Sequence, residues 1–211
     1  MPREDSKTSG HRPVVPPGGR HHRSDPERVS SSSGNRLLVF GIVVRPKAPS
    51  FRMDEVTVKS LTYGSDSPGG GGGRSSASLN ATLVAAITIA NRNFGRFDRD
   101  NTTVHIVYGG ALVLGEKTVK PGRILSRGSE RLDVAISVGA SVRVDNESEV
   151  GVNGNFTRDV RSGLVRLSGQ GRLSGTVNLM GSRVKSRKTG EMNCEMKLNM
   201  TSRLVQDLVC E

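Results

Sequence analysis

Leu79–Ile89 reads LNATLVAAITI. Leu79, Ala81, Leu83, Ala85, Ile87 and Ile89 share one parity, and Asn80, Thr82, Ala86 and Thr88 share the other. Successive side chains of a strand point to opposite faces, so a sustained period of two marks a strand with one buried face. Val104, Ile106 and Tyr108 repeat the pattern, as do Leu132, Val134, Ile136 and Val138, and then Met192, Cys194, Met196 and Leu198. Asp54–Thr62 (DEVTVKSLT) reads as a first strand, and Gly109-Gly110 as a tight turn between two strands. Gly115, Pro121 and Gly122 punctuate the sequence that follows. No stretch carries a helical period. Several short strands separated by turn residues imply an all-β chain folded as an antiparallel β-sandwich.

N-terminal to these strands the composition changes. Residues 1–35 are polar, basic and rich in Pro, Gly, Ser and His, a composition that buries too little apolar surface to fold and predicts disorder. His11, His21 and His22 lie there and are expected to be solvated rather than metal-bound. Residues 36–50 hold the uncharged octet Leu37–Val44 (LLVFGIVV) and then a linker in which Pro46 and Pro49 favour extended backbone. Residues 51–211 form the expected sandwich domain, long enough to bury a core. Gly69–Gly73 is a run of glycines without the Gly-Lys-Ser/Thr ending of a phosphate-binding loop, and reads as a flexible connection.

The octet decides how the chain relates to a membrane. As a helix it rises about 12 Å, against a hydrocarbon core of about 30 Å. Its flanks are asymmetric. All five Asn-x-Ser/Thr sequons (Asn80, Asn101, Asn146, Asn155 and Asn199) and both cysteines (Cys194 and Cys210) lie on its C-terminal side. Composition alone yields roughly two sequons in a chain of this kind, so the set suggests glycosylation in a secretory compartment. Asn80 and Asn199 lie on the polar parity of their strands, and Asn101 and Asn155 in loop-like sequence. Cys194 and Cys210 are centred on Ser202. If Thr201–Arg203 forms a hairpin turn the two face each other. Either a disulfide formed in an oxidising compartment or two buried thiols satisfies that arrangement. Cys210 shares its parity with Leu204 and Leu208, with Gln206 interrupting that side.

The net charge is +11, of which residues 1–50 contribute +5 from nine basic and four acidic side chains. A basic chain admits nucleic-acid binding. The densest cluster (Arg183, Lys185, Arg187 and Lys188) has no aromatic neighbour for base stacking, so no nucleic-acid partner is expected. A basic tail on the cytosolic side of an anchor fits the positive-inside rule. Nothing marks a catalytic constellation: His105 lies on the polar parity of its strand, Asp98, Asp100, Glu147 and Glu149 flank loops, and no Gly-x-Ser-x-Gly elbow occurs. Gly169–Gly175 (GQGRLSG) lacks the spacing of a dinucleotide fingerprint. The chain is expected to be non-enzymatic, with no metal or cofactor.

Three blocks carry a wider resemblance: RPKAPSFRMDEVTV at Arg45–Val58, LNATLVAAITIANRNFGRFDRDNTTVHIVYGGALVLGE at Leu79–Glu116, and MNCEMKLNMTSRLVQDLVC at Met192–Cys210. In order and spacing they resemble the plant late embryogenesis abundant group 2 proteins, which include hydroxyproline-rich glycoprotein and harpin-induced-like members. The resemblance implies a fibronectin-like antiparallel β-sandwich. It also implies a cytosolic tail, a single pass of the plasma membrane, and the sandwich outside the cytosol. The implied role is a non-enzymatic one in stress tolerance or defence, with protein partners in defence signalling. Cys194 and Cys210 match the family's terminal cysteine pair. Two departures stand out. Asn91-Arg92-Asn93 replaces the family's Asn-Pro-Asn, freeing a backbone N–H at the strand end. The octet stands where a spanning helix needs about 20 apolar residues. If it does not insert, the chain is a soluble cytoplasmic protective or ligand-binding protein of the same fold; a basic nucleic-acid-binding protein is the remaining alternative.

Overall fold

The computed structural model describes residues 45–66, 75–144, 151–179 and 185–211. The basic tail, the octet Leu37–Val44, the glycine run, Asn146, Glu147, Glu149 and Arg183 lie outside the described residues. Strand β1 (Ser50–Asp66) pairs antiparallel with β2 (Ser75–Ala90), and β2 with β7 (Ser129–Val144), making a three-stranded sheet. The second sheet runs from β10 (Leu204–Cys210) through β9 (Lys185–Asn199) to β8 (Leu164–Leu179). Two strands share the far edge of β8. β3 (Gly95–Arg99) pairs along Gly175–Leu179 and β4 (Thr102–Tyr108) along Leu167–Gly171. β6 (Gly122–Ile124) extends β3, and β5 (Leu112–Val119) extends β4. All pairings are antiparallel.

The strands are longer than the sequence pattern suggests. β1 has 17 residues and β2, β7 and β8 have 16 each, whereas strands usually run to about 5–6 residues. The alternation is legible only where apolar residues face inward. The ends, such as Tyr63–Asp66 of β1, are exposed on both parities and carry no pattern. Register shifts at Met53/Glu55 and Val58/Ser60 bulge β1, which lets so long a strand curl over its neighbours.

The core lies between the sheets; the four apolar stripes supply much of it, with Phe51 and Met53 of β1 and Val165, Leu173 and Val177 of β8. Leu79, Leu83, Ala85, Ile87, Val104, Ile106, Ile136, Val138, Cys194 and Leu198 are each at most 1 % exposed. At roughly 25 cal/mol per Å² of apolar surface removed from water, burying these stripes is the main stabilising contribution. The segment GQGRLSG forms part of β8, where glycine makes room for the opposite sheet. A Cβ on Gly169 would approach Met53 Cε to 2.8 Å, and one on Gly171 would approach Phe51 Cε1 to 2.9 Å.

One element differs in kind from the sequence expectation. Val152–Ser162 is an α-helix, α1, packed against β1, β2, β7 and β8. Val152, Phe156 and Val160 recur every four residues, which places them along one side, and Phe156 and Val160 are buried. Gly154 and three asparagine or threonine residues weaken the local preference for helix, so burial of Phe156 holds it together. Gly163 ends it at φ 83°, its N–H bonding to the Asp159 and Val160 carbonyls.

Candidate functional sites

The C-terminal hairpin is closed by a disulfide between Cys194 and Cys210. Its register is set in two parts. Near the turn, Leu204 pairs with Asn199 and Gln206 with Lys197; past Gln206 the register slips by one, and Val209 pairs with Glu195 and Cys210 with Cys194. Asp207 is the extra residue, with φ 53°, and its carboxylate lies 2.8 Å from Lys197 Nζ. The slip also changes the inward set: Val205, Leu208 and Cys210 pack on the core, while Leu204 is 57 % exposed. A uniform parity through Leu204 therefore does not hold, because the bulge switches it. Cys210 Sγ lies 3.2 Å from the Met53 carbonyl oxygen, so the disulfide also touches the facing sheet.

The sequon asparagines are spread over several elements. Asn80 is exposed on the outer face of β2, opposite Thr62 and Gly139. Asn101 is exposed in the connection from β3 to β4. Asn155 is exposed on α1 rather than in a loop. Asn199 ends β9 and is half-buried; its Oδ1 accepts the Thr201 and Ser202 backbone N–H groups at 3.1 and 3.0 Å.

Asn91 and Asn93 form a site the sequence pattern only hinted at. Both are buried, at 1 % and 5 % exposed. Asn91 Nδ2 donates to the Gly95 and Leu125 carbonyls at 2.8 and 3.0 Å, and Asn91 Oδ1 accepts from Asn93 N and Nδ2. Asn93 in turn grips the linker: its Oδ1 accepts Lys47 N–H at 2.6 Å and its Nδ2 donates to the Lys47 carbonyl at 2.9 Å. The Asn93 carbonyl accepts Arg127 N–H and Ser126 Oγ–H, each at 3.1 Å. Three segments, the linker, the β2–β3 loop and the β6–β7 loop, are thus tied at one point. Two residues on, Pro49 is buried, and a Cβ on Gly190 would come within 2.5 Å of its carbonyl oxygen. The strand end is held by asparagine side chains, without the proline. The available signal was two short amides flanking a strand end, a pattern suited to satisfying backbone groups where a ladder stops.

His105 Nδ1 lies 3.5 Å from Glu116 Oε2 on the exposed face of β4 and β5. Asp98 is engaged by Arg96 and Arg123, and Asp100 by Arg187. Among the described residues no three His, Cys, Asp or Glu side chains converge to hold a metal.

The chain is similar to a late embryogenesis abundant protein. That relative, from Arabidopsis thaliana, is 28 % identical over 176 residues, covering 83 % of this chain and 75 % of the relative. No family model matches. Among solved structures, a solution structure of an Arabidopsis thaliana protein has 16 % identity and a TM-score of 0.37, covering 73 % of this chain and 84 % of that one. Another, described as that of a late embryogenesis abundant protein, has 14 % identity and a TM-score of 0.34 over 86 % and 97 % of the two chains.

Proposed function

We propose that this chain is a non-enzymatic, membrane-associated stress- or defence-response protein of the group 2, harpin-induced-like type, with its β-sandwich outside the cytosol. The observation that carries the proposal is the asymmetry about the octet. Every sequon and both cysteines follow it, and the basic tail precedes it. The likeness to a late embryogenesis abundant protein supports the stress-related role. The exposure of Asn80, Asn101 and Asn155 leaves room for glycans, and the Cys194–Cys210 bond suits an oxidising compartment. The test is expression of the full chain in plant cells, followed by fractionation, glycosidase treatment and protease protection. Recovery in the membrane fraction with a glycosidase-sensitive band supports the proposal. Soluble recovery with no mobility shift and two free thiols overturns it.

The second reading is a soluble protective or ligand-binding protein of the same fold. Its support is the length of the octet, which is less than half of a membrane span. Among the described residues, no helix is long and apolar enough to cross a membrane. The same fractionation separates the two readings.

A further inference from the structure

The end of the sandwich that receives the linker has an unusual surface. Phe94 and Leu125 are 47 % and 70 % exposed there, one in the β2–β3 loop and one in the β6–β7 loop. The Asn91–Asn93 hydrogen bonds hold these loops together. Arg92, Arg96, Arg123 and Arg127 are exposed on the same two loops and the strands they join. One carboxylate, Asp98, offsets part of that charge by pairing with both Arg96 and Arg123. Arg127 has φ 57°, a left-handed conformation unfavourable for a non-glycine residue, and its guanidinium lies 4.1 Å over the Phe94 ring. None of this contributes to the core.

The covalent chain fixes what lies nearby. Lys47 is bonded to Asn93 and lies three positions after Val44, the end of the octet. Three residues reach at most about 10 Å. If Val44 meets a membrane, Lys47 lies within about 10 Å of that contact, and the β2–β3 loop is bonded to Lys47. Aromatic and aliphatic side chains ringed by arginine are the composition of an interfacial contact with anionic lipid. A single short apolar segment holds a membrane weakly, so a second attachment adds to it.

We infer that the Phe94–Leu125 end of the sandwich docks on an anionic lipid surface and shares membrane attachment with the octet. This rests on the membrane attachment proposed above and not on which side of the membrane the sandwich lies.

The experiment is co-sedimentation of the full chain with vesicles of phosphatidylcholine, with and without phosphatidylserine. Each basic residue near an anionic surface accounts for about a fivefold change in partition. Arg92→Gln/Arg127→Gln is therefore expected to weaken binding to anionic vesicles by about tenfold or more. Phe94→Ser/Leu125→Ser weakens binding to both vesicle types. Arg166→Gln/Arg203→Gln removes the same charge at the opposite end of β8 and leaves binding unchanged. Thermal melts establish that each variant is folded. Wild-type binding that survives both loop variants overturns the inference; if Phe40→Asp/Val43→Asp then abolishes it, the membrane proposal still stands. Loss in the loop variants with no loss in the octet variant upholds the docking and overturns the shared attachment. No vesicle binding by wild type, or tighter binding to duplex DNA than to anionic vesicles at the same salt, overturns the inference outright.

Discussion

Cys210 stands opposite Cys194 because Asp207 and Leu208 together face the single residue Met196. A regular hairpin with the observed turn would bring Val209, not Cys210, to that position. The bulge absorbs one extra residue, and Asp207 is the residue extruded, in a left-handed conformation. Deleting Asp207 is therefore expected to regularise the hairpin while keeping Cys210 opposite Cys194 and Leu208 inward. The deletion variant should show no free thiol in denaturant and no loss of melting temperature. Two reactive thiols would show that the register is set elsewhere.

The bond itself is testable separately. Its sequence separation is 16, and a loop of that size is stabilised by roughly 3 kcal/mol on cross-linking. Cys194→Ala/Cys210→Ala should lower the denaturation free energy by about that amount. Asp207→Gly should raise it by about 1 kcal/mol, because relief of the left-handed backbone outweighs an exposed ion pair to Lys197 worth at most about 1 kcal/mol.

How much of this was written in the chain depends on the kind of interaction. The stripes Leu79–Ile89 and Met192–Leu198 were legible because strand burial repeats every two residues and both segments are one-sided. The helix α1 was not, because Phe156 and Val160 are too few to set a period among glycine and asparagine. The symmetry of Cys194 and Cys210 about Ser202 assumes a regular hairpin, which the ladder does not form. The turn is centred half a residue earlier, and the bulge restores the match. The grip of Asn93 on Lys47 spans 46 residues, and no local pattern encodes a contact of that range.

That grip gives the next prediction. Asn93→Ala removes both bonds to Lys47 and one to Asn91, leaving the part-buried N–H and carbonyl of Lys47 without these partners. At about 0.5–1.5 kcal/mol for each net bond, plus the penalty of unsatisfied burial, the cost should be about 2–3 kcal/mol. Hydrogen exchange locates it: the Lys47 amide should lose its protection while those of β8 and β9 keep theirs. Unchanged exchange at Lys47 would mean that Pro49 packing alone fixes the linker.

Arg99 tests the cost of a buried charge. It is 4 % exposed, donating from Nη1 to the Lys120 carbonyl at 2.6 Å and from Nη2 to Glu130 Oε2 at 3.4 Å. Glu130→Ala strands the guanidinium, and because the glutamate side chain is 32 % exposed the expected cost is about 2 kcal/mol rather than the 3–5 of a fully buried pair. Arg99→Met added to Glu130→Ala should recover part of that loss, since no charge is then buried. A double variant less stable than Glu130→Ala would show that the Lys120 bond matters more than the charge.

Tyr108 links the stability of the fold to alkaline pH. Its ring meets Phe156 edge-on at 5.1 Å, and its hydroxyl donates to Asp159 Oδ2 at 2.9 Å, joining β4 to α1. Burial, and then the Asp159 carboxylate, push its pKa well above the ordinary tyrosine value. The folded state thus keeps the phenol proton where the unfolded chain gives it up. The stabilisation is fully present below pH about 10 and is lost as pH rises above it. Wild-type melting temperature should therefore fall more steeply above pH about 10 than that of Tyr108→Phe. At neutral pH the variant should be less stable by about 1–2 kcal/mol for the lost hydrogen bond. In a Tyr63→Phe background Tyr108 is the sole tyrosine, so phenolate absorbance should appear only together with unfolding. Phenolate absorbance in the still-folded protein near pH 10 would show that the Tyr108–Asp159 contact does not hold the proton.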